Sequence, residues 1–138
     1  MPIKLLTSLL LLLSAFCLWS CGSSDAVLSA AEIGFKREIT AIGQVVDFKK
    51  VRTVEKQPDG KTILLYFESK VRWLTLEEAV NNKDNPQDPQ TYVDTIDYAR
   101  ANLLTGAPKL GTLQVIQGAA MLVKTDLGWE YKGLTRGQ

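Results

Sequence analysis

Side chains able to do chemistry are few in this chain of 138 residues, and they are unevenly spread. Histidine is absent. That removes every Ser-His-Asp and Cys-His arrangement, because no imidazole is present to take the nucleophile's proton. The two cysteines, Cys17 and Cys21, lie close together near the N-terminus, and no thiol follows Cys21. An internal disulfide in the rest of the chain is therefore excluded. Asp84, Asp88, Asp94 and Asp97 fall near one another, but Pro86 and Pro89 intervene and the spacing is not that of an EF-hand loop. Asp94 and Asp97 are three apart on an expected helix and share a face. Paired carboxylates can divide acid and base roles, yet the expected reading here is a solvated polar face. Glu77 and Glu78 sit in an expected first helical turn, where the helix dipole favours negative charge. Gly111 and Gly118 are not followed by Gly-Lys-Ser/Thr, so no phosphate loop is read there. No catalytic set and no cofactor is expected.

Two further groups could bind. Tyr66, Trp73, Trp129 and Tyr131 could line a pocket left by a sheet curved over a helix, or they could fill its core. Lys49, Lys50, Arg52 and Lys56 form a local basic run. Strand alternation splits that run between two faces, as on a solvated edge strand. A contact with lipid headgroups or an acidic partner is the alternative. From Cys21 onward the chain carries 15 basic and 15 acidic residues. Nucleic acid, which demands a basic footprint, is not an expected partner. Recruitment to anionic lipid by overall charge is not expected either.

The elements that position these residues follow from periodicity. Ser29-Ala30-Ala31-Glu32 fits a capping box for a helix to about Thr40, with Ala31, Phe35 and Ile39 on one stripe. A start as early as Asp25 would add Leu28 to that stripe. Gln44–Glu55 reads as a strand whose parity needs a bulge near Lys49-Lys50. Gln57-Pro58-Asp59-Gly60 is a turn. In Lys61–Thr75, apolar Ile63, Leu65, Phe67, Val71 and Trp73 alternate with Tyr66, Glu68, Lys70 and Arg72, predicting a buried and a wet face. Thr75-Leu76-Glu77-Glu78 is a second capping box for a short helix to about Asn81. A polar loop over Asn82–Gln90 and a helix over Tyr92–Leu104 follow, stopped by Gly106 and Pro108. Gly111–Lys124 and Trp129–Leu134 complete a second hairpin through Asp126-Leu127-Gly128. The first of these two strands is apolar on both faces, which predicts a central position. The expectation is an α+β domain: a curved antiparallel sheet of about four strands on an N-terminal helix, with a helical insertion between the two hairpins.

The N-terminal segment reads differently. Lys4 precedes the uncharged, Leu-rich Leu5–Phe16, and Leu18-Trp19-Ser20-Cys21 follows. A short positive start, about a dozen apolar residues and a small residue before the break match a secretory signal. The run is shorter than the roughly 20 residues a spanning helix needs. Leu18-Trp19-Ser20-Cys21 resembles the lipobox of bacterial lipoproteins. That resemblance implies a diacylglyceryl thioether on Cys21, cleavage before it and acylation of the new amine. Cys17 would leave with the signal and the lipid would occupy Cys21, so no thiol or imidazole metal site would remain. Gly22-Ser23-Ser24 reads as a flexible tether. The division expected is a signal over 1–20, a lipidated tether over 21–28 and one domain over 29–138. The resemblance to bacterial lipoproteins, with Gly22 where an inner-membrane protein tends to carry Asp, further implies the periplasmic face of the outer membrane over the inner membrane if the cell is Gram-negative.

The segment Lys124-Thr125-Asp126-Leu127-Gly128-Trp129-Glu130-Tyr131, together with the element order, resembles the closing hairpin of cystatin-like and NTF2-like lipoprotein domains. The function expected is a non-enzymatic, membrane-anchored envelope protein acting as a binding or assembly module, with an envelope protein as partner. An NTF2-like pocket for a small ligand or a weak activity is the alternative, and an immunity or inhibitor module is a third.

Overall fold

Helix α1 covers residues 26–39. Val27, Ala31, Phe35 and Ile39 recur every four residues and are all buried, so one stripe of the helix faces the core. The computed structural model describes residues 26–52 and 54–136. The expected signal, Cys17, Cys21 and the Gly22-Ser23-Ser24 tether lie outside the described residues. So does Asp25, the earliest start considered for α1. The helix begins ahead of Ser29, which corrects the first capping box. Glu32 instead pairs with Lys36 one turn on, at 2.8 Å. Burial of Val27 extends the apolar stripe by a turn, and packing of such a face outweighs a local cap.

Five strands follow: β1 (Gly43–Lys50), β2 (Glu55–Lys56), β3 (Thr62–Trp73), β4 (Leu113–Thr125) and β5 (Gly128–Thr135). The order is β1-β3-β4-β5, antiparallel throughout, with the short β2 paired to β3 beyond the end of β1. The sheet is open and curved. The single strand expected over Gln44–Glu55 is thus two pieces. The bulge it needed lies at Val46, not at Lys49-Lys50: the register shifts between Val45 and Asp47. Val46 is left exposed and Phe48 returns to the buried face. β3 keeps the predicted alternation along its inner face, where Ser69 fills the remaining inward position and donates to the Asp47 carbonyl at 2.6 Å. β4 is central, as its two apolar faces predicted.

Between β3 and β4 the chain forms α2 (Leu76–Val80) and α3 (Pro89–Asn102). The Thr75–Glu78 capping box is present in both directions. For α3 the boundaries move. Asp88 caps the helix by accepting from the Gln90 and Thr91 amides, and Pro89 occupies its first turn. Pro suits that position, since its missing N–H would have had no helical partner. The helix stops at Asn102, and Leu103 turns fully inward.

Helices α1 and α3 share one face of the sheet, and the space between is filled. Phe35, Phe48 and Phe67 form its centre, with ring centroids 4.6–5.9 Å apart. Trp73, Leu65, Ile116 and Leu122 continue it along the sheet, and Leu103 closes it from the insertion. Gly118 stands opposite Phe67, where a Cβ would come within 2.7 Å of the ring. The opposite face carries a smaller cluster of Leu64, Tyr66 and Ala119, with Met121 beside it.

Candidate functional site

The four aromatic residues singled out for a pocket do not converge. Trp73 is wholly buried in the core, its indole N–H donating to Gln114 at 2.7 Å. Tyr66 lies on the sheet face away from the helices. It is not wet: Arg52 lies 3.3 Å from its ring centroid, and its hydroxyl donates to Glu55. The chain after β1 folds over the ring and covers it. Trp129 and Tyr131 share the inner face of β5, two residues apart, and both are half-buried against the core. They serve two different places. Cys21 lies outside the described residues.

Tyr131 belongs to a clasp that joins three elements. Its hydroxyl donates to Glu38 on α1 in a short hydrogen bond. Tyr98 on α3 lies beside Glu38, whose charge it feels, and its hydroxyl accepts the Leu134 amide of β5 at 2.8 Å. Gly34, one turn before Glu38, makes the approach possible. A Cβ there would fall 2.1 Å from Tyr131 Cγ. Gly133, at φ 131°, provides the turn of backbone beside Tyr98. Burial, and then the neighbouring Glu38, raise the Tyr98 hydroxyl to about 12. The same causes in the same order push Tyr131 up further. Both phenols are therefore neutral donors at physiological pH, and the arrangement fastens α1, α3 and β5 together. Phenols held this high are not poised to move a proton near neutrality, since a general acid or base works best with a pKa near the working pH. Two open grooves flank Glu38. One of about 310 Å³ is bordered by Arg37 and Lys132, and one of about 260 Å³ by Thr91 and Asp94. Neither Glu38 nor Tyr98 stood out in the sequence; the only signal was the position of Glu38 one turn beyond Phe35.

A third groove, of about 270 Å³, opens beside Trp129. Val27, Val54, Ile63, Leu65 and Trp129 form an apolar floor, and Lys50, Lys56 and Lys124 stand at its rim. Lys124 is 5.9 Å from the Trp129 ring centroid. The basic run is divided as alternation predicted: Lys49 faces the other side and pairs with Glu68 at 3.2 Å.

The carboxylates weighed for catalysis are occupied locally. Asp94 accepts from Gln90, Asp97 pairs with Arg100 at 3.2 Å, and both are exposed. Glu78 is bonded by Arg72 and by its own cap, and the Arg72 bond holds its carboxyl below the usual range. Among the described residues no group of three His, Cys, Asp or Glu side chains is placed to hold a metal ion, and no helix is long and apolar enough to cross a membrane. The chain matches no protein-family model, no curated protein and no solved structure.

Proposed function

We propose that this chain is a lipid-anchored protein of the bacterial envelope whose folded domain is a non-catalytic binding or assembly module. The observation that carries the reading is the order of Lys4, the apolar Leu5–Phe16, Leu18-Trp19-Ser20-Cys21 and Gly22-Ser23-Ser24, with the folded domain under way by residue 26. Two or three acyl chains on Cys21 would hold the domain stably, where one would hold it marginally. The packed core supports a module that works through its surface over one that encloses a small ligand. The Glu38 clasp supports the same view, because its titrating groups are spent on fastening elements together.

The anchor is tested by intact mass and by fractionation of the protein made in a bacterial envelope. The wild-type chain is expected to begin at Cys21 with added acyl mass and to sediment with membranes. Cys21→Ser is expected to leave the domain soluble or the precursor uncut. A wild-type chain that keeps its leader, or begins at Cys21 without acyl mass, overturns the reading. The partner is sought by cross-linking in intact envelopes, and recovery of no specific protein counts against the assembly role.

A further inference from the structure

The groove beside Trp129 opens where the chain enters the domain. Val27, in the first turn of α1, is part of its floor. Only four residues separate Cys21 from Ala26, so extended chain carries the start of α1 at most about 18 Å from the lipidated position. This rests on the anchored reading of Cys21. Given that anchor, the end of the domain that bears the groove is the end held at the bilayer. The rim there is Lys50, Lys56 and Lys124, all exposed, and none has an ion-pair partner among the described residues. Glu55 and Asp59 keep their charge while accepting from Tyr66 and from the Lys61 and Thr62 amides, and Arg52 and Lys61 stand beside them as further cations. Asp126, in the turn after Lys124, lowers the local excess of positive charge without cancelling it.

The far end of the sheet is of mixed charge. Ile63 and Trp73 stand at the two ends of β3, about 33 Å apart for a strand of that length. Beside Trp73 lie α2 and the start of α3, where Glu77, Glu78, Asp84 and Asp88 are interspersed with Arg72, Lys83 and Lys109. We infer that the Lys50–Lys56–Lys124 rim and the Trp129 groove dock on anionic phospholipid headgroups of the membrane that holds Cys21. Overall neutrality is no obstacle, since the anchor supplies the local concentration and the lysines have only to orient the domain. Lysine stems and an indole over an apolar floor suit the headgroup boundary, where one end of a side chain is wet and the other is not.

The test uses the acylated chain beginning at Cys21 in vesicles of phosphatidylcholine alone or mixed with phosphatidylglycerol, both with brominated acyl chains. Trp129 emission is the readout. Trp73, enclosed in the core, gives the background, and Trp129→Phe identifies it. Quenching is expected to be about twofold stronger in the anionic vesicles, and to fall to the neutral level in salt or when the three lysines become Glu. Replacement by Gln is a milder variant that should give most of the same loss, with the fold checked by its melting transition. Equal quenching in both vesicles, or indifference to the lysines, overturns the docking surface. Intact mass separates this from the anchor: a chain without acyl groups sinks the anchored reading, whereas an acylated chain whose Trp129 ignores the headgroups sinks the docking alone.

Discussion

Gly34 of α1 and Tyr131 of β5 occupy what would otherwise be the same space: a Cβ on residue 34 would lie 2.1 Å from Cγ of the tyrosine and 2.5 Å from its Cβ. The Tyr131 Cβ is set by the backbone, so a rotamer change that moves the ring still leaves a clash at 2.5 Å. Gly34→Ala would gain about 1 kcal/mol of helix propensity. Overpacking of a close contact costs about 1–3 kcal/mol and sometimes more. The contact wins, because α1 or β5 must shift as a body. Gly34→Ala is expected to lower the urea midpoint, and Gly34→Ala with Tyr131→Gly to cost less than the sum of the two single changes. Strict additivity would show that the two positions are not in contact.

The tyrosines of the clasp predict an alkaline limit to stability. Tyr98 is pushed up to about 12 and Tyr131 is raised beyond it, from an ordinary value of 10.0. Folding therefore favours the protonated phenols. Their contribution is complete below the unfolded value and is lost as pH rises from there through the folded value. The urea midpoint is expected to hold between neutrality and about pH 9.5, then to fall steeply. Tyr98→Phe should flatten that fall. An equally steep fall in Tyr98→Phe and Tyr131→Phe would assign the alkaline loss to other groups.

Trp73 distinguishes a filled core from an internal pocket. It is fully buried, with its N–H satisfied by Gln114. Trp73→Ala is expected to cost about 3–5 kcal/mol in chemical denaturation, as for other large-to-small changes in packed cores. A cost below about 1 kcal/mol would mean that the ring borders open space.

The elements written in local pattern were legible. β3 shows its inner face through alternation, the Asp59-Gly60 turn shows its hairpin, and Thr75 with Glu78 marks a helix start that forms as read. What escaped depends on residues distant in the chain. Glu38 meets Tyr131 across 93 positions, and Tyr98 meets Leu134 across 36. No spacing rule links such pairs, since sheet register and helix placement bring them together only after folding. Alternation assigns Tyr66 to a wet face, whereas its cover comes from Arg52 and Glu55, outside that strand. Ser29 looked like a helix start because a cap is a local signal, while the burial of Val27 depends on the sheet. The lysine groove was half visible: Lys50 and Lys56 belong to one run, but Lys124 reaches them only by way of the β4–β5 hairpin.

β5 ends the sheet, and its outer backbone edge has no strand beside it among the described residues. The ladder to β4 slips between Met121 and Leu122, and Gly133 takes its positive φ within that irregularity. A slip of this kind twists the strand and throws its free amides out of line. A second molecule therefore meets no long, flat row of donors and acceptors to copy. That local misalignment opposes polymerisation into fibrils by strand addition.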